Sequence, residues 1–363
     1  MTVSETPLGR HLKRLIQTAG PLRVDRFMAE ALMHPEHGYY ARGDRIGAAG
    51  DFITAPEITQ MFGELIGLWL ADRWHSMGQP APVRLVELGP GRGTLMTDIL
   101  RSTRVMPGFA EAIDLHLVES NASFRAAQAE AGLPATWHDD LGSVPDGPLL
   151  LVANEFFDAL PVRQLVYTGE QWSERAVGLD QHTGALVFTV HPLEDADAPK
   201  DRTPADTGAI VERCPAGEAL AAAIAGRLSS QGGAALIVDY GYRGPALGET
   251  LQAVRAHQQA DPLAAPGQAD LTAHVDFTAL ADAARAAGAE AHGPVGQGAF
   301  LDRLGLGARA AALKQRAGPT QAGEIDRAVA RLVAPDQMGT LFKALALTPA
   351  QMPPPPGFDT EPS

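Results

Sequence analysis

The chain has 363 residues, 45% of them hydrophobic and 20% charged, a balance typical of globular proteins and a length sufficient for two domains or one domain with a large insertion. A formal charge of −14 argues against a nucleic-acid backbone as a general partner and favours a basic one. The one cysteine, Cys214, excludes an internal disulfide framework and a cysteine-based metal cage, and no metal centre is expected. The start "MTVSETPLGRHLKRLIQTAG" has no apolar core, and nowhere do 18 apolar residues run together, so a cytoplasmic chain without a membrane span is predicted. Only four of the 29 basic residues are lysine, a skew that points to a GC-rich bacterial genome.

In chain order, residues 5 to 34 predict two short amphipathic helices, the first carrying Leu8, Leu12, Leu15 and Ile16 and the second Val24, Phe27, Met28 and Leu32. A loop rich in glycine and charge follows, with a lid expected over 43–50. Thr54 and Glu57 then form a capping-box pattern before a helix with Ile58, Met61, Phe62, Leu65, Ile66, Trp69 and Leu70 on one face. Residues 1–80 therefore read as a helical region with a lid. From Val83 strands alternate with helices, which predicts parallel strands and helical crossovers: an α/β doubly wound, Rossmann-like sheet over 81–350. Two insertions interrupt it, antiparallel hairpins at about 162–210 and a second at 243–276. The proline-rich tail 351–363 is expected to be extended or disordered.

"LVELGPGRGTLMTDIL" places Glu87 at the end of a strand, then Gly89, Gly91 and Gly93, then a helix. Such glycines allow a tight turn in which backbone approaches a ligand at the helix N-terminus. A dinucleotide-binding loop wants a small residue where Thr94 stands, and a carboxylate such as Glu87 would repel a pyrophosphate. Both features disfavour a nicotinamide oxidoreductase. The same carboxylate attracts an ammonium group, which S-adenosyl-L-methionine carries. Glu119, ending the next strand, then serves the ribose, and Asp139 or Asp140 in "WHDDL" the adenine amino group.

Together "GDFITAPEITQMFGE", "VELGPGRGTLMTDILR", "NEFFDALPV", "IVDYG" and "GQADLTAHVDF" resemble the MidA-type methyltransferases, whose mitochondrial members are assembly factors of respiratory complex I. The resemblance covers roughly residues 8 to 345. It implies a class I methyltransferase sheet with extra elements, S-adenosyl-L-methionine as cofactor, and dimethylation of an arginine in the complex I subunit beside the quinone site. On that reading Asn154, Glu155 and Asp158, at the carboxyl end of a buried strand, border the donor methyl and hold a guanidinium by charge, with Phe156 or Phe157 flanking it. Glu57 belongs to the lid or only to a helix cap; His257 or His274 orders a proton relay or is structural. Asp239 and Tyr240 are placed at the acceptor pocket. Two rivals follow from the same residues, an N-methyltransferase acting on a nucleobase and a cofactor-binding assembly module without turnover.

Overall fold

The computed structural model describes residues 5–41, 54–193, 206–244 and 246–358. The expected lid at 43–50 lies outside them. The chain divides into two compact units. One gathers the described residues of 5–41, 158–217 and 246–276; the other gathers 54–157, 218–244 and 277–358. The helix Gln60–Ser76, expected with the N-terminal helices, thus belongs to the second unit.

The second unit is built on a sheet whose strands are β1 Val83–Leu88, β2 Ile113–Val118, β3 Thr136–His138, β4 Leu149–Asn154, β5 Gly233–Tyr242, β6 Ala289–Gly296 and β7 Phe342–Pro349. Their spatial order is β3-β2-β1-β4-β5-β7-β6. Neighbours from β3 to β5 run parallel, whereas β7 pairs antiparallel with both β5 and β6. The order reverses between β1 and β4. Strands covered on both faces need apolar side chains at every position, which is why Leu149 to Ala153 and Ala234 to Val238 are continuous runs, nearly all fully buried. Reversal points of this kind open a crevice outside the carboxyl ends of the strands.

A single helix is expected from "TAPEI" onward, yet two form, Ala55–Ile58 and Gln60–Ser76. The capping box does exist: Thr54 N donates to Glu57 Oε2 at 3.3 Å. Thr59 then returns to extended backbone and caps the longer helix, its Oγ1 accepting from Met61 N at 3.3 Å. Two threonines with two free capping positions, five residues apart, divide what periodicity alone joins.

Part of the tail is fastened to the second unit. Residues 351–358 are held in place, because the prolines leave backbone carbonyls that side chains of the same unit can grasp. Trp69 Nε1 donates to the Pro356 carbonyl at 3.2 Å, and Arg73 Nη1 to that of Pro353 at 2.8 Å. Phe358 packs on Phe300 with ring centroids 5.2 Å apart. Replacing this buried ring by Ala is expected to cost about 3 kcal/mol in urea unfolding; a change under about 0.5 kcal/mol would mean that the tail only rests on the surface.

The first unit carries the helices Pro7–Ala19 and Val24–Met33 with two antiparallel sheets. In one, Arg163–Tyr167, Trp172–Leu179 and Leu186–Pro192 follow one another as hairpins, joined by Leu22–Arg23 and Ile210–Arg213. In the other, Gln252–Arg255 lies between Gln258–Ala260 and Asp270–Thr272. Among the described residues no helix is long and apolar enough to cross a membrane.

Candidate active site

In the second unit β1 ends in the glycine turn and the helix Thr94–Thr103. Gly89, Gly91 and Gly93 have φ of +62°, +51° and +80°, a region open to glycine at little cost. A Cβ on Gly89 would lie 2.6 Å from Phe156 Cδ2, and one on Gly93 2.7 Å from Leu133 Cδ1. The turn is braced from beneath. Gln128, fully buried, donates from Nε2 to the Gly91 carbonyl at 2.7 Å and accepts from Trp137 Nε1 at 2.7 Å. The sequence did contain a signal for this residue: Gln128 stands four after Phe124, on the buried face of its helix.

Glu87 and the backbone of Gly89 and Gly91 border one cavity, open to solvent, together with Thr54, Glu57, Asn154 and Glu155. Glu87 is 3% exposed, and its Oε2 meets no hydrogen-bond partner among the described residues. Burial, reinforced by the Glu119 carboxylate, pushes its carboxyl up to about 8. Glu119 is itself pushed up to about 7, again chiefly by burial, although its Oε1 accepts from Asn121 N at 2.8 Å. Two carboxyls raised by burial at adjacent strand ends are suited to a ligand that brings its own positive charge and hydroxyl donors. Asp140 is otherwise engaged. It is exposed and caps the short turn Leu141–Ser143, accepting from Ser143 N at 2.9 Å. Its neighbour Asp139 pairs with Arg125 at 2.6 Å.

The far wall comes from the end of β4. Asn154 donates from Nδ2 to Glu155 Oε1 at 3.3 Å, which leaves its buried Oδ1 without a partner among the described residues. Glu155 adopts φ +50°, a left-handed conformation that costs a non-glycine residue about 1–3 kcal/mol. Its surroundings hold it there. Glu155 N donates to the Val238 carbonyl at 2.9 Å, and its Oε1 accepts from Ala55 N at 3.1 Å, tying the strand end to the short capped helix. Asp239 secures the next residues: its carboxylate accepts from Phe156 N, Phe157 N and Tyr240 N at 3.1, 2.9 and 2.9 Å. Asp239 is fully buried, so its task is to shape this turn rather than to face an acceptor. Phe157 is core, while Phe156 covers Gly89. Asp239→Ala would strip three backbone donors of a charged acceptor, and a loss on the order of 3 kcal/mol in chemical denaturation is expected. A variant as stable as the parent would mean the turn holds without it.

Of the residues expected at the site, Glu57, Glu87, Gly89, Gly91, Asn154 and Glu155 line the one cavity. Gly93 caps the helix behind it. Asp158 and His257 belong to the other unit. Asp158 is buried there near Tyr40, whose hydroxyl donates to Asp270 at 3.1 Å and is pushed well above its usual range by burial and then by these two acids. His257 stands in a hairpin turn. With Ala256 it forms the two-residue turn between Gln252–Arg255 and Gln258–Ala260, both at positive φ, and it is exposed.

Strand order, the antiparallel β7, the glycine turn after β1 and a buried acid ending that strand define a class I S-adenosyl-L-methionine-dependent methyltransferase. The family model described as "Putative S-adenosyl-L-methionine-dependent methyltransferase" matches residues 65–295, and the chain belongs to that family. It is 38% identical to the mitochondrial protein arginine methyltransferase NDUFAF7 of Mus musculus over 95% of this chain and 85% of that protein. The Homo sapiens protein of the same name is 36% identical over 95% and 84%. A crystal structure of a COG1565 superfamily member from Burkholderia thailandensis, bound to S-adenosyl-homocysteine, superposes with a TM-score of 0.80 at 28% identity, covering 97% of this chain and 92% of that one.

Proposed function

We propose that the chain methylates the guanidinium nitrogen of an arginine in a protein, and that the protein is the complex I subunit beside the quinone site, modified before membrane assembly. The observation that carries this reading is the meeting, in one cavity, of Glu87 and the glycine turn with Asn154, Glu155 and Glu57. The cofactor fits these groups: its ammonium would meet Glu87 Oε2, which has no partner among the described residues, and the turn would let its backbone come close. When bound, it supplies an electrophilic methyl on a sulfonium. Asn154 Oδ1 offers an acceptor to an N–H, and Glu155 with Glu57 offers two carboxylates to a planar cation. With the cofactor bound, these groups would hold and orient the guanidinium, and a carboxylate among them would accept the proton that the methylated nitrogen gives up. Relatives named as arginine methyltransferases support the acceptor chosen. The setting proposed is the bacterial cytoplasm, on the arginine-rich, lysine-poor composition.

Incubating the protein with labelled S-adenosyl-L-methionine and lysate of a strain lacking its gene is expected to label one protein on arginine, and peptide mass spectrometry of the deletion strain to show that arginine unmodified. Label in nucleic acid would reject the acceptor class; an arginine still modified in the deletion strain would reject the target alone. Glu155→Gln is expected to retain cofactor binding and lose most transfer, at least about tenfold in kcat, because a charge-assisted bond to the guanidinium becomes a neutral one. Loss of cofactor binding in that variant would assign Glu155 to the fold of the site.

A further inference from the structure

We propose that His11, Glu30 and His34, in the first unit, form a binding site for one divalent transition-metal ion of the zinc class. Each offers one ligand atom, and these atoms lie within 4.8 Å of one another. Two nitrogens and one carboxylate oxygen are the donor set that zinc accepts with a fourth position open to water.

The scaffold beneath is firm. His11 sits on the helix Pro7–Ala19 between the buried Leu8 and Leu12, and Glu30 lies in the last turn of the helix Val24–Met33, whose Phe27, Met28, Ala31 and Leu32 are fully buried. His34 caps that second helix four residues after Glu30, one turn on and on the same side. The three side chains are half-buried, so they can turn without disturbing the core. His11 Nε2 stands 3.8 Å from Glu30 Oε2, and the His11 and His34 rings meet edge to face with centroids 5.0 Å apart. Bonds of about 2.1 Å at tetrahedral angles set ligand atoms roughly 3.4 Å apart, so the site closes by small side-chain rotations.

Two neighbours bear on the site. His37 stacks flat on His34, centroids 5.1 Å apart, and with Glu36 donates a backbone N–H to His34 Nδ1 at 3.2 Å, which fixes the ring plane. Coordination through Nε2 moves the ring proton to Nδ1 and gives up these two long bonds. Arg26 Nη2 lies 3.8 Å from Glu30 Oε1 and opposes a cation, leaving Oε2 as the ligand oxygen. None of these residues belongs to the methyl-transfer cavity.

The test is titration of the full chain, after chelator treatment, with Zn²⁺ by calorimetry and Co²⁺ by visible absorption near neutral pH. One equivalent of Zn²⁺ is expected to bind and to raise the melting temperature. His11→Ala, Glu30→Gln and His34→Ala are each expected to weaken binding by at least about tenfold, since even residues that only orient ligands matter by that factor. Arg26→Ala is expected to tighten it. His182→Ala, an exposed turn residue, serves as the control and leaves it unchanged. Circular dichroism establishes that each variant is folded. Absence of saturable binding, or equal affinity in the three ligand variants and the parent, overturns the site.

Discussion

Glu87→Gln is expected to weaken S-adenosyl-homocysteine roughly ten- to a hundredfold, the worth of one hydrogen bond to a charged group. The pH dependence gives the sharper expectation. In the free protein burial holds this carboxyl at about 8, so near neutral pH it is mostly protonated. An ammonium ligand needs it ionised, and binding must therefore release a proton. Affinity of the parent should rise between about pH 6 and about pH 8, and calorimetric enthalpies should shift with the ionisation enthalpy of the buffer. Glu87→Gln should show neither effect.

The same group predicts a stability profile for the ligand-free chain. Its folded value lies above its unfolded value of 4.5, so its contribution is fully present below about 4.5 and is lost as the pH rises through about 8. Glu119, pushed to about 7, acts in the same direction. The parent should thus lose stability across that window, while Glu87→Gln should lose less and be the more stable of the two at pH 8. Parallel denaturation profiles for the two proteins, together with a pH-independent affinity, would show that Glu87 is not the buried acid of the ammonium pocket.

Much of this site was legible because backbone geometry demands particular residues. Three glycines between an apolar strand and an amphipathic helix can hardly be anything but a left-handed turn, and an acid just before them inside a buried strand must have a task. The sheet was legible for a similar reason, since a strand covered on both faces must be apolar throughout, as 149–153 is. What escaped depends on distant partners. Asp239 is an acid inside a buried strand like Glu87, yet two backbone N–H groups on the turn after β4 and that of Tyr240 consume it, and no spacing in the chain announces that meeting. Gln128 carries only a weak signal, a polar residue on an apolar face. The place of His257 in a hairpin turn depends on pairing that the local pattern does not reveal. The prolines of the tail suggest an extended or disordered segment, and nothing in their spacing announces that Trp69 and Arg73, some 280 residues earlier, hold Pro356 and Pro353.

Gly89→Val is expected to abolish cofactor binding, with no heat detectable in titration with S-adenosyl-homocysteine. Two costs combine. At φ +62° a β-branched residue is strained by about 1–2 kcal/mol, and its Cβ would stand 2.6 Å from the Phe156 ring. Phe156 is half-buried and could yield, but it follows Glu155, so its displacement would disturb the wall opposite Glu87 as well as the turn. The two costs separate in a double variant. Adding Phe156→Ala removes the collision and leaves the backbone strain, so Gly89→Val with Phe156→Ala should recover some affinity and remain weaker than Phe156→Ala alone. Full recovery would mean that the collision carries the whole effect and that the left-handed turn tolerates a side chain. Binding at parental strength in Gly89→Val itself would place the cofactor away from this turn, and with it the ammonium away from Glu87.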